Sequence, residues 1–294
     1  MFMIFGIPGP LLFGQLLLGL INGAFYALLS LGLAVIFGLL NIVNFAHGAL
    51  FMMGAFCAWM LLEYLGIGYW WSLLLAPIII GAFGILLEKT LISRLYKLDH
   101  LYGLLLTFGL AMVIEGLFRN QYGSSGLPYR IPQSLQGATD LGFMFMPNYR
   151  GWVVLAAAIV CFTTWALIER TRLGALLRAA TENAPLVQSF GVNVPRLVTL
   201  TYGAGVGLAA FAGVLAAPIY SVNPNMGSNF IIVVFAVVVI GGMGSILGSI
   251  VTGFGLGVVE GLTKVFYPQA SSTVIFVVMA IVLLIRPVGL FGRI

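Results

Sequence analysis

Three acidic residues, Glu63, Glu115 and Glu260, sit near the ends of long apolar stretches. A carboxylate is costly there, which makes each a candidate for function. A proton- or sodium-coupled carrier would use such groups. Arg119 follows Glu115 and Lys264 follows Glu260, each four residues on. Glu before a cation at that spacing is the favourable order on one helical face. Long side chains at span ends also reach the interface, so both pairs read as structural. Glu63 lacks such a partner but marks a span end. No carboxylate–histidine relay remains to carry an ion, and no paired carboxylates or histidine cluster remain to support catalysis. His47, Cys57 and Cys161 lack metal-ligand spacing, so no metal site is expected and the cysteines read as small core residues. The only lysines, Lys89, Lys97 and Lys264, follow no G-x-x-x-x-G-K-[ST] pattern. The chain therefore binds no ATP by that motif; if ATP is the energy source, a separate subunit binds it.

Uncharged polar residues form a second set. Gln15, Asn22, Tyr26 and Ser30 are spaced by 7, 4 and 4 residues, one face of a helix. Such a stripe suits either a translocation pathway or interhelical hydrogen bonds worth about 0.6 kcal/mol each. Asn41, Asn44 and His47 gather at the most polar point of the first apolar run. A broken helix at membrane depth is tolerated only where protein or a water-filled cavity satisfies it. The break is therefore a pathway candidate.

The elements that position these groups follow from the scarcity of charge. Only 21 of 294 residues are charged, and none lies between Met1 and Leu62. A soluble domain carries about 25% charged residues; this chain has 7%. That excludes an ordinary soluble enzyme, a disordered chain and a nucleic-acid binder. A span needs roughly 20 apolar residues, and the chain reads as one all-α domain over 1–294 with about eight transmembrane helices. Spans are expected near 11–40, 45–62, 70–87, 101–118, 151–168, 199–219 and 273–286. The run 230–261 is expected as two short segments, or a re-entrant one, broken at Gly241–Ser245. Charged loops are expected at 88–100 and 169–198, and a long polar connection at 119–150. Placing both charged loops and the C-terminus on one side gives nine cations against four on the other. The richer side is the cytoplasmic one, with the N-terminus outside. Glycines recur every four residues at Gly203 and Gly207, at Gly244 and Gly248, and at Gly253, Gly257 and Gly261. Such rows let helices approach closely, either within the chain or against another permease.

The second charged loop has its own pattern. Leu173, Leu176, Leu177 and Ala180 mark one face of a short helix. Asn183 is a plausible N-cap for a second one, with Pro185 in its first turn and Gly191 at its end. Two short amphipathic helices can dock into a partner's groove or rest on lipid headgroups. Periodicity alone leaves both readings open.

The residues of this loop carry a resemblance. Thr171-Arg-Leu-Gly-Ala-Leu-Leu-Arg-Ala179, with Glu182-Asn183, Phe190-Gly191-Val192 and Pro195-Arg196, resembles the cytoplasmic motif of branched-chain amino acid ABC importer permeases. Phe37-Gly38 with Asn44-Phe-Ala-His-Gly48, Gly205–Leu215 and Ile240–Gly248 resemble the same family, in its order. The short N-terminus and the Asn44–Gly48 stretch are similar to the H-type subunit. Many members carry Asp where this chain has Glu182, a swap that keeps the charge. The resemblance implies a multi-pass permease of the bacterial inner membrane. It would form half the pathway for branched-chain or related hydrophobic amino acids, beside an M-type permease. Two ATP-binding subunits would hold ATP and magnesium, and an external binding protein would deliver the amino acid. Arg172, Gly174, Arg178, Glu182, Asn183 and Gly191 would then belong to the element that couples to the ATPases. Related permeases carry amides, urea, aromatic acids or sugars; a self-sufficient carrier or channel is the rival outside the family.

Overall fold

A computed structural model of the chain describes all residues except 1–2, 5–6, 41–43, 97, 143 and 293–294. Uninterrupted apolar sequence without charge becomes helix, because only internal hydrogen bonding satisfies a backbone surrounded by lipid. In chain order the helices are α1 (Gly9–Leu40), α2 (Ala46–Leu65), α3 (Tyr69–Thr90), α4 (His100–Tyr122), α5 (Asn148–Arg170), α6 (Arg172–Glu182), α7 (Ala184–Ser189), α8 (Val194–Tyr220), α9 (Met226–Gly241), α10 (Ile246–Phe266) and α11 (Val274–Ile285). Seven are long and apolar enough to cross a membrane: α1 to α5, α8 and α10; α9 and α11 are shorter apolar helices. The break expected between 230 and 261 is a helix–turn–helix. Gly242 and Gly244 adopt φ of 100° and 83°, and the Ser245 side chain caps α10 by accepting from Gly248 N at 3.1 Å. The tail after α11 satisfies the end of α9, with Leu290 N and Phe291 N donating to the carbonyls of Ile240 and Gly241.

Several helices run a few residues past the spans read from the sequence, and two connections change as a result. The first charged loop is shorter than 88–100, because α3 runs on to Thr90 and a 3-10 turn follows at Ile92–Leu95. Glu88 and Lys89 thus belong to α3. The long connection 119–150 contains a small antiparallel hairpin, Ala138–Asp140 with Phe145–Pro147, and Leu127 bridges to Val222 beyond α8.

α1 is the central helix, with 83% of its most apolar window buried against 17% for α4. It packs against α5, α8, α9 and α10, while α2 packs against α3, α4, α8 and α9. Small residues make these approaches close enough. A Cβ on Gly257 would fall 2.3 Å from the carbonyl oxygen of Gly19, and one on Gly253 would fall 2.5 Å from Ala27 Cα. Gly261 faces the Gln15 carbonyl across the same α1–α10 seam. Gly203 meets Gly81 and Ile85, and Gly207 faces Pro77, between α8 and α3. Gly248 closes on Gly241 between α9 and α10, and Gly244 meets Gly38. Each of these approaches lies within the chain.

Candidate functional site: a polar network and a helix pair

The α1 stripe faces α10. Glu260, only 8% exposed, lies between the two helices. Tyr26 OH donates to Glu260 Oε2 at 2.8 Å, and Asn22 Nδ2 approaches Glu260 Oε1 at 3.4 Å. Tyr220, at the end of α8, donates to Asn22 Oδ1 at 3.2 Å. Lys264 Nζ pairs with Glu260 Oε1 at 2.5 Å. Further along, Ser30 donates to the carbonyls of Ala27 and Ser249. Gln15 is half-buried at the other end of the stripe. Aromatic rings enclose the network: Phe230 packs against Phe25, Tyr26, Phe51 and Tyr220. The expected Glu260–Lys264 pair is present, but it is more than a local pair. It ties α10 to α1, and through Asn22 to α8.

The other expected pair is absent. Glu115 and Arg119 form no ion pair among the described residues. Arg119 Nη2 instead donates to Asn225 Oδ1 in the α8–α9 turn at 2.5 Å, and Glu115 lies beside Ser228 of α9. Each side chain finds a polar partner on that turn or on α9, an attraction that a helix considered alone does not contain.

The α1–α2 break is built from buried polar groups. Asn41 lies outside the described residues. Asn44 Nδ2 donates to Tyr202 OH at 2.9 Å, joining the break to α8. His47 Nε2 lies 3.1 Å from the Leu29 carbonyl oxygen. A carbonyl only accepts, so the neutral ring carries its proton on Nε2 and presents Nδ1 as an acceptor. Phe45 N donates to Thr107 Oγ1 of α4. Among the described residues, Asn44 Oδ1 and His47 Nδ1 are buried with no hydrogen-bond partner.

At the end of the bundle rich in cations, α6 and α7 form the amphipathic pair. Its geometry starts at Gly174, where a Cβ would fall 1.6 Å from the carbonyl oxygen of Ile168 in α5. Arg178 Nη1 donates to that same carbonyl at 3.1 Å and lies 3.3 Å from Glu169 Oε2. Asn183 caps α7 by accepting from Leu186 N at 3.0 Å, and Gly191, with φ of 84°, follows its end. Arg172 and Glu182 are exposed. The apolar face departs from the one read in the sequence. Gly174, Leu177 and Ala180 are buried, whereas Leu173 and Leu176 point outward. Gly174 allows so close an approach to α5 that α6 rolls to bury the glycine side. Leu186 and Phe190 are also exposed, at 54% and 78%. A cavity of about 640 Å³ lies beside this corner, lined by the end of α1, the end of α5, Arg178, the 243–247 turn and Phe291.

Comparison with known proteins meets this geometry here. Residues 15–284 match the family described as "Branched-chain amino acid transport system / permease component". The chain is 30% identical to the high-affinity branched-chain amino acid transport system permease protein BraD of Pseudomonas aeruginosa, over 95% of both chains. It is 28% identical to the corresponding permease protein LivH of Escherichia coli, again over 95% of both. This chain belongs to the branched-chain amino acid transport permease family. The permease is also 27% identical to the LivM protein of Salmonella typhimurium, but over only 67% of that protein. It therefore matches the H-type in length as well as in sequence. No solved structure matches it. With its apolar helices, the family places the permease among multi-pass proteins of the bacterial inner membrane, and its homologues are transport subunits rather than enzymes.

Some polar groups of the permease carried no signal beyond their type. Glu88 is 2% exposed and accepts from Tyr96 OH at 2.5 Å and Thr199 Oγ1 at 2.7 Å. Burial, and then the hydrogen bond to Glu88, hold the Tyr96 phenol above its ordinary range, so it stays a donor. Thr199 lies 111 residues from Glu88, and Tyr220 lies 198 from Asn22. Only their position at the ends of apolar runs hinted at a role.

Proposed function

We propose that the permease forms half of the translocation pathway of an ATP-driven importer of branched-chain amino acids. An M-type permease forms the other half, two ATP-binding subunits sit on the cytoplasmic face, and an external binding protein delivers substrate. ATP and magnesium are held by the ATP-binding subunits. The observation that carries the reading is the α6–α7 pair. It turns Leu173, Leu176, Leu186 and Phe190 outward beside Arg172 and Glu182, as a surface made for a protein partner does. Gly174 and Arg178 fix the pair to α5, so displacement of the pair is passed to a span. Asn183 and Gly191 shape α7. Closure of the ATPases then rocks the spans as rigid bodies between inward- and outward-open states.

The pathway is assigned to the polar face of α1 and the α1–α2 break: Gln15, Asn22, Tyr26, Asn41, Asn44 and His47. Asn44 Oδ1 and His47 Nδ1, buried without a partner among the described residues, support this. They are groups that a different arrangement of the spans, or a passing amino acid, can satisfy. Pairing of Glu260 with Lys264 argues against a proton- or sodium-driven carrier, because the carboxylate already has its counter-charge.

The test is reconstitution with the ATP-binding subunits and M-type permease encoded beside this chain, plus the binding protein. Leucine loaded on the binding protein should stimulate ATP hydrolysis and drive uptake into proteoliposomes. Uptake by this chain alone, without any ATPase, would overturn the reading.

A further inference from the structure

A second cavity, of about 870 Å³, lies between the last turn of α3, the 3-10 turn that follows it, the α6–α7 junction and the first two turns of α8. Its volume falls within the roughly 300–1,000 Å³ of small-molecule sites. The walls are mainly apolar, supplied by Ile85, Val194, Val198 and Leu200, with Ala180 and Ala184 beneath the helix pair. The floor carries Glu88, whose two oxygens already accept from Tyr96 and Thr199. Lys89 and Arg196 stand at the lining, exposed, and neither forms an ion pair among the described residues. They come from different elements, 107 positions apart in the chain, yet line one cavity.

We infer that this cavity binds an anionic phospholipid, its phosphate between Lys89 and Arg196 and its chains along Val198 and Leu200. Two features select a lipid over a soluble anion. The cavity lies where two apolar spans, α3 and α8, end among the cations of the two charged loops. An apolar wall also continues from the cationic opening onto exposed Leu200. A free phosphate would use the cations and leave that wall bare. Each basic residue near an anionic surface contributes roughly a factor of five in affinity. Two cations therefore predict about a 25-fold preference for phosphatidylglycerol over phosphatidylcholine. The lipid would lie under the junction of α6 and α7, where its occupancy bears on how the pair is held.

The inference rests on the membrane placement of the spans and not on the cargo. It is tested on purified permease without transport. Native mass spectrometry in mixed phosphatidylglycerol and phosphatidylcholine micelles should show one phosphatidylglycerol retained. The preference should disappear in the Lys89→Gln, Arg196→Gln double variant and survive in Arg94→Gln, whose cation lies outside the cavity lining. Equal loss in Arg94→Gln would mean diffuse surface attraction and would overturn the site, as would an unchanged preference in the double variant. If the double variant does not fold, a photoactivatable phosphatidylglycerol on the wild-type chain decides the matter. Crosslinks at 85–96 and 194–200 support the site, and crosslinks elsewhere refute it.

Discussion

Replacing Gly174 with alanine should uncouple the permease while leaving it in the membrane. The added Cβ would lie 1.6 Å from the Ile168 carbonyl oxygen, and ordinary contact begins near 3.4 Å, so α6 must retreat from α5 by about 1.8 Å. The obstacle is backbone, which has no rotamer to change. The same carbonyl accepts from Arg178 at 3.1 Å. Losing a hydrogen bond to a charged group costs about 1.5–3 kcal/mol, and overpacking costs about 1–3 kcal/mol. Alanine's better helix propensity offsets about 1 kcal/mol. The corner should therefore lose about 1.5–5 kcal/mol, with the loss confined to it because α6 and α7 contribute little to the packed spans. The assay compares membrane insertion, affinity for the ATP-binding subunits and substrate-stimulated ATP hydrolysis in Gly174→Ala and in Ala175→Ser, its exposed neighbour. Insertion should be normal in both. Since 1.4 kcal/mol is tenfold, Gly174→Ala should weaken association or coupled hydrolysis at least tenfold, and Ala175→Ser should not. Wild-type coupling in Gly174→Ala would refute the argument that the α5–α6 corner transmits the movement.

Further outcomes follow from the packed interior. Tyr26→Phe and Glu260→Gln should show a coupling energy of about 1 kcal/mol in a double-mutant cycle of detergent unfolding, within the range of intramembrane hydrogen bonds; additive effects would mean the 2.8 Å contact contributes nothing. Lys264→Met should destabilise more than Tyr26→Phe, because it leaves Glu260 without its counter-charge. Tyr202→Phe should cost about 1–3 kcal/mol by taking away the partner of the buried Asn44 Nδ2. Gly257→Leu should abolish folded yield by size-exclusion chromatography, whereas Gly116→Leu, where nothing lies within 4 Å, should not.

Legibility differed between elements for physical reasons. Spans were readable because apolar length is a local property, and the glycine break at 241–245 because helix interruption is local too. The cap at Asn183 lies in the same class, a side chain reaching three residues on. The four residues read as one face of α6 divide between buried Leu177 and Ala180 and exposed Leu173 and Leu176, because periodicity says which residues lie near one another and not which of them turn inward. Gly174 decides that, through a clash with α5 that no helical wheel contains. The Glu115–Arg119 spacing left the two charges near enough to attract but not to form an ion pair, because polar groups of the α8–α9 turn and α9 drew both side chains into hydrogen bonds. Of the pathway candidates, Asn22 and Tyr26 were visible as a stripe, while their partners Glu260 and Tyr220 came from helices more than 190 residues away.

The sequence by itself determined that this chain lives in a bilayer, roughly where its spans lie and which family it joins. Those properties depend on composition, local spacing and motifs, all written along one dimension. Only the tertiary structure decided how the carboxylates are used. Glu260 became a clasp between α1 and α10, Glu88 the satisfied floor of a cavity, and Glu115 a neighbour of α9. A carboxylate inside a membrane protein is defined by what surrounds it, because in a medium without water its partners must come from whichever helices the packing brings within hydrogen-bond reach.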